Sequence, residues 1–346
     1  MVSTPVFQVN EPHGLVGYGG LELVSWSRAR ELAKRGHEVT LVAPDGSDCA
    51  GVTIIPMGPA GRVDEATAYS KYWQHLLTVD CVVDDGWQKW SYILKKEGRL
   101  KAPVLGVCHA PANTMFATLP PVEKPCMVCI SDDQRAHFEA LHGKPARTAY
   151  NGVDTGFYSS TGVRRSDRFL FLARFSTIKN PLGAIEACKA AGVGLDLIGD
   201  TTITQEPDYF NHCAALCDGK QICMVGPATR SECVGWFSQA KAFIHPTKNF
   251  REPFGLAPVE AMLCGCPVIA WRYGAMKETV VDGVTGWLVD SEAQLLETVK
   301  HVATMTDADL APMRQRCRDW AERFSYAAMG ARYEELIQEA LTTGGW

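Results

Sequence analysis

The sequence predicts an α/β protein built from two doubly wound domains. Short runs rich in Val, Ile and Leu alternate with longer segments of helical period, the pattern of parallel strands covered by helices on both faces. At 346 residues, 46% hydrophobic and 21% charged, the chain is long enough for two cores. It has one turn-rich break, "TGFYSSTGVRRSD" at 155–167, where Gly, Ser and Asp cluster without apolar period. The expected domains are therefore 1–155 and 156–325, with 326–346 a C-terminal helix that can pack back towards the first.

Strands are expected in the first domain at "VSTPV", "EVTLVAP", "GVTIIPM", "DCVVDD", "PVLGVCH", "CMVCIS" and "ARTAYNG". Between the first two, "LELVSWSRARELAKRGH" places Leu23, Val24, Ala29, Leu32 and Ala33 near one helical face, and Gly36 is a natural stop. The second series runs "RFLFLAR", "GLDLIGD", "QICMVG", "KAFIHPT", "CPVIAW" and "TGWLVD", with helices such as "NPLGAIEACKAAG" between, and the tail from about 307 to 343 reads as helical. Ligands of such sheets sit beyond the carboxyl ends of the strands, so residues at strand ends and helix starts matter most.

Composition narrows the function classes. A formal net charge of -5 without a basic stripe argues against a nucleic-acid partner. The start lacks the charged and apolar regions of a signal peptide, and no apolar run approaches the roughly 18 residues of a spanning helix, so a soluble, cytoplasmic protein is expected. The 13 cysteines then read as reduced thiols. Three close pairs, Cys126 with Cys129, Cys213 with Cys217 and Cys264 with Cys266, do not complete a zinc set, since only the first has a common zinc spacing.

Several short constellations carry chemistry. In "LFLARFSTIKNPLGAIEA", Arg174 and Lys179 flank a turn between a strand and a helix opened by Pro181, an anion site suited to a diphosphate, or else two solvated charges. "FREPFGLAPVEAMLCGC" has a comparable layout: Glu252 precedes a helix, Glu260 lies within it, and the amides of Phe254, Gly255 and Leu256 would face the same cleft. Both acids could face one extended ligand, although their spacing does not suit a local pair.

The glycines of "GLVGYGGLE", Gly19 and Gly20 among them, form an approach loop without G-x-G-x-x-G or P-loop spacing. His109 directly follows a strand and reads as a substrate contact or a satisfied structural histidine; His13 is a weaker candidate. Asp84 with Asp85 and Asp132 with Asp133 could each hold a cation, but the second pair fits better behind Ser131 as the cap of "DQRAHFEALHG". Residues 87–101, "WQKWSYILKKEGRLK", interleave Trp and Tyr with Lys and Arg: a surface helix with a buried aromatic face, or a peripheral membrane contact.

Taken in order, these stretches resemble the retaining nucleotide-sugar glycosyltransferases of GT-B architecture, specifically family 4. The likeness rests on "GYGGLE", "LAKRGHEVTLVAP", "CISDDQRAHF", "YNGVDTGFY", "LARFSTIKNP", "MVGPATRSECVGWFSQAKAFIHPT", "REPFGLAPVEAMLCGCPVIA" and "ETVVDGVTGWLV", spread over nearly the whole chain. The resemblance implies two Rossmann-like domains facing across a cleft, the first for the acceptor and the second for the donor. It assigns Glu252 and Glu260 to the E-x7-E pair, on the donor sugar and the ribose hydroxyls respectively. Arg174 and Lys179 would neutralise the diphosphate, Gly20 would lie in the glycine loop near it, and His109 would be the first-domain histidine near the sugar.

The implied reaction moves a hexose with retention from a nucleotide sugar, UDP-glucose or a similar UDP-hexose first and GDP-mannose next. The acceptor is a hydroxyl of a small-molecule, glycan or lipid-linked acceptor. The nucleotide sugar is a co-substrate, and neither cofactor nor metal is expected. A nucleotide-sugar epimerase, or a binding protein that has lost catalysis, are the alternatives; the latter would be expected to lack one of Arg174, Lys179 or Glu252, and all are present. The chain departs from the family pattern at Ala173, where glycine is common, and at Gly274-Ala275 with Lys277 before Glu278.

Overall fold

The computed structural model describes residues 1–11, 20–112, 122–159, 162, 164–201 and 206–346. The chain divides into two compact units: residues 1–11 with 20–152 and Tyr326–Trp346, and Val153–Ser325. The architecture is mixed α/β with parallel sheets.

The first unit carries α1 (Gly20–Lys34), β1 (Thr40–Ala43), β2 (Thr53–Pro56), α2 (Glu65–Tyr72), β3 (Val82–Asp84), α3 (Ser91–Lys96), β4 (Val104–Cys108), β5 (Met127–Cys129), α4 (Asp132–His142) and β6 (Ala146–Thr148). β3, β4, β5 and β6 lie side by side in that order, all parallel, and β1 pairs with β2. Val2 joins the two groups, bridging Val42 of β1 on one side and Asp84 of β3 on the other. The strand expected at "VSTPV" is thus reduced to a single bridging residue. Pro5 has no N–H for a ladder, and the Thr4 hydroxyl turns away to donate to the Glu22 carboxylate (2.6 Å).

Local signals explain most boundaries. Ser131 accepts from the Gln134 N–H and starts α4, which ends at Gly143 with φ 62°. Gly106 in β4 leaves room for the Tyr92 ring, since a Cβ there would lie 2.5 Å from its hydroxyl; that hydroxyl donates to the Val104 carbonyl (3.2 Å). The helix expected across 87–101 is only six residues long. Lys89 breaks it with φ 52° before α3 begins, Gly98 with φ 71° follows its end, and Tyr92 and Leu94 turn into the core. Trp90 stacks on Tyr69 and Lys89 is buried, which leaves Trp87 and Ile93 as the exposed apolar side chains of this stretch.

The second unit carries β7 (Phe169–Leu172), α5 (Pro181–Ala191), β8 (Leu195–Ile198), α6 (Pro207–Ala215), β9 (Ile222–Gly226), α7 (Arg230–Gln239), β10 (Phe243–His245), α8 (Leu256–Leu263), β11 (Val268–Trp271), α9 (Met276–Thr279), β12 (Gly286–Val289), α10 (Glu292–Thr304) and α11 (Asp307–Ala321). Its sheet is parallel in the order β12-β11-β10-β7-β8-β9. Counted from its own first strand, this is the doubly wound order, and the direction of winding reverses between β7 and β10. Phe169, Phe171, Leu195, Leu197, Ile244 and Ile269 are among the sheet residues of the core. α10 adds Leu295, Val299 and Val302 at helical spacing behind the Ser291 cap.

The last helix, α12 (Tyr326–Thr343), belongs to the first unit and packs on α1. Gly330 is the point of closest approach: a Cβ there would lie 2.7 Å from the Glu31 Cβ. No helix among the described residues is long and apolar enough to cross a membrane. Gly330→Ala should force the helices apart and cost about 1–3 kcal/mol. A urea midpoint lowered at unchanged slope is the expected readout, and an unchanged midpoint would show that the contact is not tight.

Candidate functional site

In the second unit the site grows from the two loops that leave the winding reversal. After β7 comes "ARFSTIKN". Asn180 adopts a left-handed conformation, and its Oδ1 accepts from the Gly183 N–H (3.3 Å), so α5 starts at Pro181, which has no N–H of its own to satisfy. The same Asn180 donates from Nδ2 to the Pro246 carbonyl (3.1 Å) and so ties this loop to the one after β10. Lys179 crosses the same gap: its Nζ lies 2.5 Å from Glu252 Oε2, with both side chains largely buried. Arg174, half-buried, belongs to the loop after β7.

Glu252 lies in the loop after β10 and is held from behind by the loop after β11. Ala275 N–H donates to the Glu252 carbonyl (2.9 Å), and Gly274, at φ 62°, lies so close that a Cβ would stand 2.6 Å from that oxygen. Only glycine fits there, so the Gly274-Ala275 turn fixes the backbone of Glu252. Gly255, at φ 83°, opens α8 beyond it. Phe254 is buried edge-to-face on Phe324, so what it can offer a ligand is its backbone. Leu256 begins α8, and Glu260 follows one turn later.

The two glutamates have different surroundings. Burial works against the charge of Glu252, but Lys179 and then His245 outweigh it and hold the carboxyl far below the usual carboxylate range. His245 Nε2 faces Glu252 Oε2 at 3.6 Å, beyond hydrogen-bonding distance, and has no hydrogen-bond partner among the described residues. Burial pushes the imidazole below its ordinary value. Glu260 is pushed upward by burial, against the pull of Arg230, whose Nη1 lies 3.3 Å from Oε1. Arg230 also reaches the Tyr158 hydroxyl (3.4 Å) from the start of α7.

In the first unit, His109 follows β4 and its Nε2 lies 2.7 Å from Asp85 Oδ1. Arg28 and Ser25, both from α1, donate to the other oxygen of Asp85. The Arg28 guanidinium also lies over the Tyr333 ring (4.4 Å). Burial opposes the Asp85 charge, but Arg28 foremost and His109 hold its pKa down; burial also lowers His109. Asp84 accepts from the Gly86 N–H (2.9 Å) and from Ser91, with Lys89 buried nearby. Protein donors thus already occupy both aspartates. No group of three or more His, Cys, Asp or Glu among the described residues is placed to hold a metal. Gly20 opens α1; Gly19 and His13 lie outside the described residues.

Sequence reasoning did not single out His245, Arg230, Arg28 or the Asp85–His109 pair. His245 had a readable signal: it closes an apolar strand in "KAFIHPT" just as His109 does in "VLGVCHAP". Arg28 had none, since it falls among polar positions of an amphipathic helix.

Comparison with known proteins agrees with this layout. Residues 162–324 match the family model "Glycosyl transferases group 1" and residues 18–157 match "Glycosyltransferase Family 4". The D-inositol 3-phosphate glycosyltransferase of Corynebacterium glutamicum is 34% identical over 55% of this chain and 50% of its own length. The alpha-1,3/1,6-mannosyltransferase ALG2 of Yarrowia lipolytica is 35% identical over 29% of this chain and 21% of its own. The match therefore spans between 21% and 50% of the length of these two curated relatives. Anabaena HepE, solved in complex with UDP and glucose, superposes with a TM-score of 0.74 at 17% identity, over 97% of this chain and 99% of that one. The fold is that of the GT-B glycosyltransferases. The chain belongs to that group and is of the family 4 kind.

Glu252 is ionised in the fold at a pKa below its ordinary value of 4.5, so the stability it contributes is complete above that value and is lost as pH falls below it. Glu252→Gln should therefore destabilise the protein at about pH 7 and much less at about pH 3. Urea denaturation at both pH values checks this; an equal difference at the two would remove the ionised pairing.

Proposed function

We propose that this chain transfers a hexose, with retention of anomeric configuration, from a nucleoside diphosphate sugar to a hydroxyl of a small-molecule, glycan or lipid-linked acceptor. A UDP-hexose, UDP-glucose foremost, is the donor favoured by the fold shared with Anabaena HepE, solved with UDP and glucose. GDP-mannose comes second, in view of the mannosyltransferase among the relatives. The observation that carries the reading is the Lys179–Glu252 ion pair across the winding reversal, where α5 and α8 also begin.

The chemistry follows from charge. As the bond between the sugar and the diphosphate breaks, negative charge builds on the leaving phosphate. Arg174, Lys179 and the positive N-terminal ends of α5 and α8 are suited to stabilise it without a metal. Lys179 is held against Glu252 until a phosphate competes for it, so the cation is in place and partly desolvated before the donor arrives. Glu252 takes sugar hydroxyls and Glu260 the ribose hydroxyls, with Arg230 beside the second carboxyl to counter part of the burial that raises its pKa. The acceptor proton passes to the leaving phosphate, which removes the need for a side-chain base. His109, oriented by Asp85, acts in the transfer step.

Lys179→Ala and Arg174→Ala should each lower turnover of UDP-glucose by about 100-fold or more while circular dichroism shows an intact fold. Wild-type turnover in either variant would remove the diphosphate assignment. Glu260→Ala should weaken UDP binding by about 10-fold or more in calorimetry, and unchanged affinity would contradict the ribose role.

A further inference from the structure

We propose that His245 determines specificity for the transferred sugar: its Nε2–H and the Glu252 carboxylate together hold one hydroxyl of the donor hexose, the imidazole donating to that oxygen and Oε2 accepting its proton. The inference rests on the second unit being the nucleotide-sugar site.

His245 closes β10 at the winding reversal, the place where a doubly wound sheet takes its ligand. The residue is 4% exposed, and its Nε2 has no hydrogen-bond partner among the described residues. An orphaned buried donor costs about 1–3 kcal/mol, so such a group persists where something outside the fold satisfies it. A second orphan stands two residues on: Thr247 Oγ1, in a residue 3% exposed, also lacks a partner. Two buried polar atoms thus stand unsatisfied at and just beyond the end of one strand.

The neighbours select the ligand chemistry. A phosphate oxygen beside Nε2 would meet the Glu252 carboxylate 3.6 Å away and be repelled. A hydroxyl suits both atoms, because it accepts from the imidazole and donates to the carboxylate. Burial keeps the imidazole neutral, so one ring nitrogen carries a proton and the other does not. The ring is held against Phe243 of the same strand, with centroids 6.0 Å apart, and needs little reorganisation on binding. Lys179, already on Oε2, remains available for the diphosphate.

The test compares wild type, His245→Ala and His245→Gln by calorimetry and turnover, with UDP, UDP-glucose, GDP and GDP-mannose as probes. In His245→Ala, affinity for the free nucleotide should stay within about 2-fold, while affinity for the sugar nucleotide and its turnover fall about 10–100-fold. His245→Gln, whose amide can donate from a similar position, should recover part of the loss. If the sugar nucleotide binds His245→Ala as it binds wild type, or if the free nucleotide loses affinity equally, the inference falls. Should His245→Ala not fold, the same comparison on His245→Gln decides, with an effect confined to the sugar nucleotide expected. Wild type that binds none of the four probes overturns the donor reading, and the inference with it; wild type that binds them with His245→Ala unchanged overturns the inference alone.

Discussion

In the second unit, β7 and β10 lie side by side although two further strands separate them in the chain, and the connections leaving them wind in opposite directions. Their following loops therefore part and leave a crevice beyond the strand ends that backbone pairing cannot fill. What spans it is a small set of side chains: Lys179 on Glu252, and Asn180 on the Pro246 carbonyl. The remaining features of the site depend on this geometry. α5 and α8 start at the crevice because each begins one loop beyond a strand end, and Gly274 must be glycine because the backbone of Glu252 presses against it.

Both units bury carboxylates and handle them alike. Asp85 meets Arg28, Glu252 meets Lys179 and Glu260 meets Arg230. Buried ion pairs add little net stability, because desolvating two charges offsets most of their attraction. Their value here is orientation and charge state, in a low-dielectric setting where hydrogen bonds to each acid are strong. The balance differs between them. Burial prevails at Glu260, whereas at Glu252 and Asp85 the cations and histidines prevail.

The alternation of apolar runs with helical segments made the parallel sheets readable, because central strands such as β4, β5, β7 and β10 are buried on both faces and reveal themselves as continuous apolar runs. Caps were equally legible: Ser131 starts α4, Pro181 opens α5 and Gly36 lies just beyond α1. Two stretches misled. "VSTPV" has the composition of a strand, but Pro5 and the Thr4–Glu22 hydrogen bond end it after one bridging residue. "WQKWSYILKKEGRLK" has the pattern of a long surface helix, yet Lys89 takes a left-handed backbone and buries its amine beneath the loop. In the first case a long-range contact overrode a local preference, and in the second a single left-handed residue did.

The sequence by itself determined the fold class, the order of strands and helices, and the residues that stand at strand ends, since these depend on periodicity and short-range signals. It also carried the ordered motifs that mark the family. Which strands are neighbours, and hence which loops face one another, was decided only by tertiary structure. Lys179 and Glu252 are 73 residues apart in the chain, and Arg28 and Asp85 are 57 apart. No local pattern encodes such pairings. The same holds for His245, whose significance lies in the partner it lacks, a property that exists only once the surrounding chain has excluded water.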